Sequence, residues 1–140
     1  MTAYVIDASV IVKWFVPETH SESALRLKHA GAQLHAPAFI TLAVGNALSK
    51  KRRRGEVTDR DAEDIWQVFR LAPVRRHADN PLVLAAFDLA HLTRQTLYDS
   101  LYLALALKLD VPFLTADRKF YQALQRSQYC HRLLWVEDLP

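Results

Sequence analysis

The chain has 140 residues, 51% of them hydrophobic and 24% charged, with a formal net charge of +3. That describes one globular domain, residues 1–140, able to bury a core without disulfides or a structural metal. Its single cysteine, Cys130, excludes an internal disulfide and a multi-cysteine zinc site, and fits a reducing cytoplasm. The start, MTAYVIDASVIVKWF, has no basic leader segment and carries Asp7 inside its apolar stretch, which argues against a signal peptide. The longest apolar run, residues 101–107, covers about two helical turns and falls far short of a membrane span. The pI near 9.2 and the twelve arginines suit a polyanionic partner such as a nucleic acid, although many cytosolic proteins are this basic.

In chain order, residues 3–6 are a short apolar, partly β-branched run that predicts a buried strand. Residues 10–15 suggest a short helix stopped by Pro17. Residues 21–30 read as a helix closed by Gly31. Residues 32–36 are a second candidate strand, and Pro37 opens a long helix over 38–54 that ends at Gly55. Thr58 is a good N-cap, with Asp61 at the third position of a helix running to about residue 71. Residues 73–75 form a brief strand. Residues 81–93 place Leu82, Ala85, Leu89 and Leu92 on one helical stripe. Residues 99–109 are helical and apolar nearly all round, hence buried. A strand over 111–115, a helix over 117–124 and a last strand over 133–136 complete the chain. Strands alternating with helices give an α/β class: a three-layer α/β/α domain with a mostly parallel sheet of four or five strands, and the first strand central.

Two carboxylates fall at one topological place. Asp7 ends the first strand, and Asp117 follows the apolar run at 112–114 with two residues between. Ligand crevices in open parallel sheets lie beyond the carboxyl ends of the strands. Asp99 begins a buried helix whose N-terminus can point at the same crevice. Oxygen-only ligands there suit Mg²⁺ or Mn²⁺. The plainer reading stands beside this one: Asp99 and Asp117 both sit at helix starts, where a carboxylate contributes about 0.5–2 kcal/mol with no chemistry attached. Ser9 can likewise cap the helix that follows it. Asp7 is harder to explain that way, because an unpaired charge next to Tyr4-Val5-Ile6 is expensive and a metal would relieve it.

Tyr4-Val5-Ile6-Asp7-Ala8-Ser9, Tyr98-Asp99-Ser100-Leu101-Tyr102-Leu103-Ala104 and Leu114-Thr115-Ala116-Asp117-Arg118 resemble three blocks of PIN-domain ribonucleases. The group they look most like is the VapC-like toxins of prokaryotic toxin–antitoxin pairs. The resemblance covers essentially the whole chain, in the right order and spacing. It implies a PIN-like fold and a phosphodiesterase acting on single-stranded RNA. It also implies one or two Mg²⁺ or Mn²⁺ ions held by Asp7, Asp99 and Asp117, a homodimer, and a small antitoxin that blocks the site with its C-terminal segment. Ser9, Asn46 and Thr115 would then orient carboxylates or metal-bound water.

One departure stands out. The family's second acidic residue is a Glu on the helix after the second strand, and in Ala36-Pro37-Ala38-Phe39-Ile40-Thr41-Leu42-Ala43-Val44-Gly45-Asn46 that position falls on Ala43. No carboxylate between Pro37 and Arg54 replaces it. A PIN domain that binds RNA or an antitoxin without cutting is therefore the competing reading.

The basic run Lys50-Lys51-Arg52-Arg53-Arg54 closes a helix, where cations suit the negative end of the dipole. The functional reading is phosphate contact, with Arg52, Arg53 and Arg118 as candidates and Arg75 and Arg76 behind them. The six histidines show no metal-ligand spacing, and Trp14, Trp66 and Trp135 lie in apolar periodic segments as core or interface anchors. An aspartyl-phosphate mechanism of the haloacid-dehalogenase kind needs a second Asp where this chain has Ser9. The absence of a Gly-rich phosphate loop removes P-loop and dinucleotide-binding readings.

Overall fold

The structure, a computed structural model, describes residues 2–17, 21–29 and 31–139. Its elements in order are β1 (Ala3–Ile6), α1 (Ala8–Phe15), α2 (Ser21–His29), β2 (Gln33–Pro37), α3 (Ile40–Arg53) and α4 (Asp59–Arg70). Then come β3 (Val74–His77), a 3-10 turn (Asn80–Leu82), α5 (Val83–Thr93), α6 (Leu97–Leu109), β4 (Phe113–Thr115), α7 (Arg118–Ala123) and β5 (Leu133–Trp135). The five strands form one sheet in the order β3-β2-β1-β4-β5, with every pair parallel. The three-layer α/β expectation holds, and the first strand is central as its short, uninterrupted apolar run required. Val5 and Ile6 are completely buried.

The order of the strands decides where helices go. The chain steps outward from β1 to β2 to β3, then returns to the other side of β1 for β4 and β5. Right-handed crossovers put helices of the outward steps on one face and those of the return step on the other. Accordingly α1 packs on α2 and α3, whereas α6 packs on β1, β2 and α5. Residues from Ser100 to Ala106 are all buried, as expected for a helix apolar on every side.

Two of the differences from the expected elements have a clear physical reason. The strand read as 32–36 extends to Pro37, and Ala38 N–H still reaches His77 O at 2.6 Å, so α3 cannot begin until Ile40. The expected stripe on α5 is out of phase. Leu82, Ala86 and Leu89 are buried, while Ala85 is exposed and Leu92 is 63% exposed. Leu82 belongs to a tighter three-residue turn, which shifts the phase of the helix behind it. The end of the helix read to residue 30 lies outside the described residues. Thr58 caps α4 as expected, its hydroxyl accepting Asp61 N–H at 3.0 Å.

The tryptophans behave as anchors. Trp14 is buried and donates to Ala24 O at 2.7 Å, and Trp135 is 8% exposed. Trp66 lies against Gly45, where an added Cβ would stand 3.2 Å from its ring. His35 and His77, on adjacent strands, share a hydrogen bond of 2.9 Å between ring nitrogens. Burial lowers both pKa values, and nearby Arg75 adds to the effect on each. Neither residue showed any signal in the sequence, because the pair is 42 residues apart.

Burial at the sheet centre sets the stability test. Leu114 is fully buried in β4, so Leu114→Ala should cost about 2–5 kcal/mol in urea denaturation. Leu42→Ala, at a residue 69% exposed, should stay within about 0.5 kcal/mol of the parent. Equal effects at the two positions would contradict the packing described.

Candidate active site

All five strands run the same way, so their carboxyl ends share one rim, and the order reverses at β1. Asp7 follows β1 directly, and Thr115 ends the neighbouring β4, which places them on either side of this switch point, where α/β sheets bind ligands.

Asp7 is the N-cap of α1, with extended backbone, and its Oδ1 accepts Val10 N–H at 3.3 Å. The capping role given to Ser9 is thus held by Asp7. Ser9 instead donates its hydroxyl to Asp7 Oδ1 and accepts Ala116 N–H at 3.1 Å. Thr115 does the same from the other side. It is fully buried, donates to Asp7 Oδ2 at 2.6 Å, and accepts Asp117 N–H at 3.0 Å. Each hydroxyl therefore uses its proton on the carboxylate and a lone pair on the β4–α7 turn. The two bridges tie residues more than a hundred positions apart.

Asp117 caps α7, its Oδ1 accepting Phe120 N–H at 3.1 Å. Asp99 lies in the first turn of α6 behind the N-cap Thr96, whose Oγ1 accepts Asp99 N–H at 3.0 Å. The capping readings of Asp117 and of the α6 start are real, and Asp117 is also linked electrostatically to Asp7. Burial lifts the Asp7 carboxyl from its ordinary 3.8 to about 6. The hydrogen bonds from Ser9, Thr115 and Val10 pull it down, and the Asp117 charge pushes it up. Asp7 keeps some exposed surface as a residue, but its carboxyl faces the buried Thr115 hydroxyl. Asp99 is also raised, first by burial and then by the charge of Asp117, against a hydrogen bond from Thr96. Asp117 thus acts on both other carboxylates.

Two residues of this neighbourhood were given no role from the sequence. Tyr102, one turn after Asp99 on α6, is 3% exposed and stacks on Phe113 with ring centroids 5.7 Å apart. Its hydroxyl is buried with no hydrogen-bond partner among the described residues. Burial and then the charges of Asp7, Asp99 and Asp79 hold the phenol well above its usual range. Asp79, past the end of β3, accepts Phe39 N–H at 3.0 Å and so fixes the turn into α3.

Other candidates fall differently. Ala43 and Ala47 are half-buried, whereas Asn46 is exposed. Arg118 is exposed with its guanidinium over the Trp135 ring at 5.0 Å. Arg76 lies over Phe69 at 4.8 Å and donates to Phe69 O, a packing role. Arg53 is exposed, and Arg52 lines a groove with Gly45, Glu63 and Trp66.

Among the described residues, no three of His, Cys, Asp and Glu are gathered tightly enough to hold a metal ion between them. The donor chemistry nevertheless suits a hard cation. Mg²⁺ takes one or two carboxylates and keeps several waters, and Asp7 is a desolvated carboxylate beside a second charge. No helix among the described residues is long and apolar enough to cross a membrane.

Comparison with known proteins adds the following. The PIN domain model matches residues 4–124. Ribonuclease VapC3 of Pyrobaculum aerophilum is 36% identical over 119 residues, covering 82% of this chain and 89% of that protein. A crystal structure of another Pyrobaculum aerophilum protein superimposes with a TM-score of 0.65 at 20% identity, covering 97% of this chain and 92% of its own. The structure of VapBC2 from Rickettsia felis, bound to a DNA fragment from its promoter, gives a TM-score of 0.62 at 11% identity, with 96% and 98% covered. Both structural likenesses concern the fold.

The raised Asp7 pKa has a stability consequence. Below about 3.8 the carboxyl is protonated in folded and unfolded chains alike. Between 3.8 and 6 the unfolded chain loses its proton first, so the fold loses stability as pH rises, and above 6 the loss is complete. In EDTA, the melting temperature of Asp7→Asn relative to the parent should therefore climb from pH 4 to 6 and then level off. A difference independent of pH would contradict the desolvation of Asp7.

Proposed function

The chain belongs to the PIN-domain family, and from that premise we propose that it is a divalent-metal-dependent endoribonuclease, the toxin of a VapBC-like toxin–antitoxin pair. The observation that carries this reading is the Asp7 carboxylate, held at the sheet's switch point by two hydroxyls and sharing an electrostatic field with Asp117. The substrate is RNA, single-stranded by the family resemblance. The partners are a small antitoxin and a second copy of the chain, and the setting is the cytoplasm.

Asp7, Asp99 and Asp117 would hold Mg²⁺ or Mn²⁺, which when bound supplies charge neutralisation at a phosphate and a lowered pKa for a water. The chain's own residues prepare for that role. Ser9, Thr115 and the Val10 N–H favour the ionised form of Asp7, the form a cation needs, and fix both of its oxygens. Phe120 N–H fixes Asp117, and the Thr96 cap holds the first turn of α6 in which Asp99 sits. Burial first, and then the charge of Asp117, keeps Asp7 and Asp99 reluctant to ionise until positive charge arrives.

Ala43 supports a second reading, a PIN domain that binds RNA or antitoxin without cutting. Position 43 is half-buried on the helical stripe 43–47–51, and Ala47 lines a depression together with Ser9. A Glu at position 43 would therefore stand on the α3 stripe that meets α1 near the carboxylates.

Cleavage of single-stranded RNA with Mn²⁺, with and without EDTA, tests both readings. The parent should cut only with metal, and Asp7→Asn should abolish cutting while keeping the fold. Ala43→Glu should tighten Mn²⁺ binding and raise cleavage by roughly 10–100-fold, the range of groups that support a metal site. Metal-independent cutting, or full activity in Asp7→Asn, would overturn the nuclease reading. RNA binding with no cutting by either the parent or Ala43→Glu would favour the binding module.

A further inference from the structure

The buried stretch of α6 is apolar except at two places. Ser100 is satisfied, since it donates to Thr96 O at 2.8 Å. Tyr102 is not: it lies among Leu101, Leu103, Ala104, Leu105 and Ala106, and its buried hydroxyl has no hydrogen-bond partner among the described residues. Buried tyrosine hydroxyls are almost always paired, because an unpaired one gives up its hydration and gains nothing. A phenylalanine would fill the same space without that cost, so the hydroxyl calls for a partner of its own.

The fold shows where that partner must lie. Tyr102 follows Asp99 by three residues, on the same face of α6. Helical side chains lean toward the helix N-terminus, which carries the phenol back toward the turn that holds Asp99. Its ring stacks on Phe113 with planes 15° from parallel, and Phe113 pairs with Val5, two residues before Asp7. The hydroxyl thus belongs to the seam between α6 and the strand pair β1–β4. Of the charges that reach it, Asp7 acts most strongly, then Asp99 and Asp79. Burial and these charges keep the phenol protonated, hence a hydrogen-bond donor.

The three aspartates are unevenly fastened. Asp7 and Asp117 are joined through Ser9 and Thr115. Asp99 is fastened within its own helix, by Thr96, and no hydrogen bond among the described residues ties it to the β1 or β4 side.

We propose that Tyr102 supplies that tie as a positioning residue: its hydroxyl donates to one internal water, which donates in turn to Asp7 and Asp99. The inference rests on the ribonuclease reading of those carboxylates. Internal waters typically make about three hydrogen bonds to buried polar groups, the number counted here. Two carboxylates that share one water are held at a set separation, and groups that orient ligands in this way support the affinity of a metal site.

The test compares the parent with Tyr102→Phe, which keeps the ring and removes the hydroxyl. A crystal structure of the metal-free full chain should show a water about 2.5–3.0 Å from Tyr102 Oη and in reach of both carboxylates, and Tyr102→Phe should lack it. In EDTA the melting temperature of Tyr102→Phe should fall by about 2–5 °C, because a satisfied hydrogen bond is lost. Removing an unpaired hydroxyl would raise it instead. Mn²⁺ affinity, followed by EPR, should weaken about 10-fold in Tyr102→Phe. Incorporating 3-fluorotyrosine at position 102, which keeps the donor, should restore it, a rescue that ring packing alone does not require. No water at Tyr102 Oη, a higher melting temperature in Tyr102→Phe, or unchanged Mn²⁺ affinity overturns the proposal. If Asp7-dependent cleavage persists in that case, the nuclease reading stands without it. A parent that holds the water but neither binds Mn²⁺ nor cuts RNA removes the nuclease reading and, with it, the role given to Tyr102.

Discussion

The Asp7 carboxylate is held from two sides by hydroxyls that are themselves fastened to the turn after β4. Ser9 gives its proton to one oxygen and takes Ala116 N–H; Thr115 gives its proton to the other and takes Asp117 N–H. These four hydrogen bonds join the start of α1 to the start of α7 across the strand pair β1–β4. They set where Asp117 stands relative to Asp7, and thereby the field that reaches Asp99. Any change in the register of β1 against β4, which pairs Ile6 with Leu114, would move both bridges together.

Two opposing effects meet at that carboxylate. Desolvation is the largest and favours the neutral acid, while three hydrogen bonds favour the anion and fall short of cancelling it, since the carboxyl ends near 6. The fold thus holds a carboxylate whose charge is costly alone, and under the proposed function a cation would relieve that cost. Hydrogen bonds to a charged group contribute about 1.5–3 kcal/mol each, enough to keep geometry fixed without removing that cost. Tyr102 shows the same field from α6: a phenol with no hydrogen-bond partner among the described residues, pushed away from ionising first by burial and then by Asp7, Asp99 and Asp79.

Much of the architecture was legible in the residues because burial on both faces leaves short β-branched runs and a helix apolar all round. Residues 3–6 read as a central strand, 111–115 as a strand and 99–109 as a buried helix, and the structure has β1, β4 over Phe113–Thr115 and the buried run from Ser100 to Ala106. What escaped were features that depend on phase or on distant partners. α5 is apolar on most sides, so only the 3-10 turn before it decides that Ala86 faces inward and Ala85 does not. α6 ends at Asp110 with φ 55, a left-handed cap without the glycine that would have announced it. The three aspartates were readable at strand ends and a helix start. The capping of α1 by Asp7, the double duty of Ser9 and the His35–His77 bond all require knowing which segments meet. The basic run shows the same limit: composition marks five adjacent cations, and only the helix shows that Lys51 and Arg52 look into different grooves.

The central claim is that Asp7 is a desolvated carboxylate awaiting a cation, and carboxyl ¹³C NMR titration of that residue tests it most directly. In metal-free protein its resonance should titrate near pH 6, and saturating Mg²⁺ should drive the midpoint down toward or below the ordinary 3.8. A midpoint already near 3.8 without metal, or one unmoved by Mg²⁺, would contradict the account.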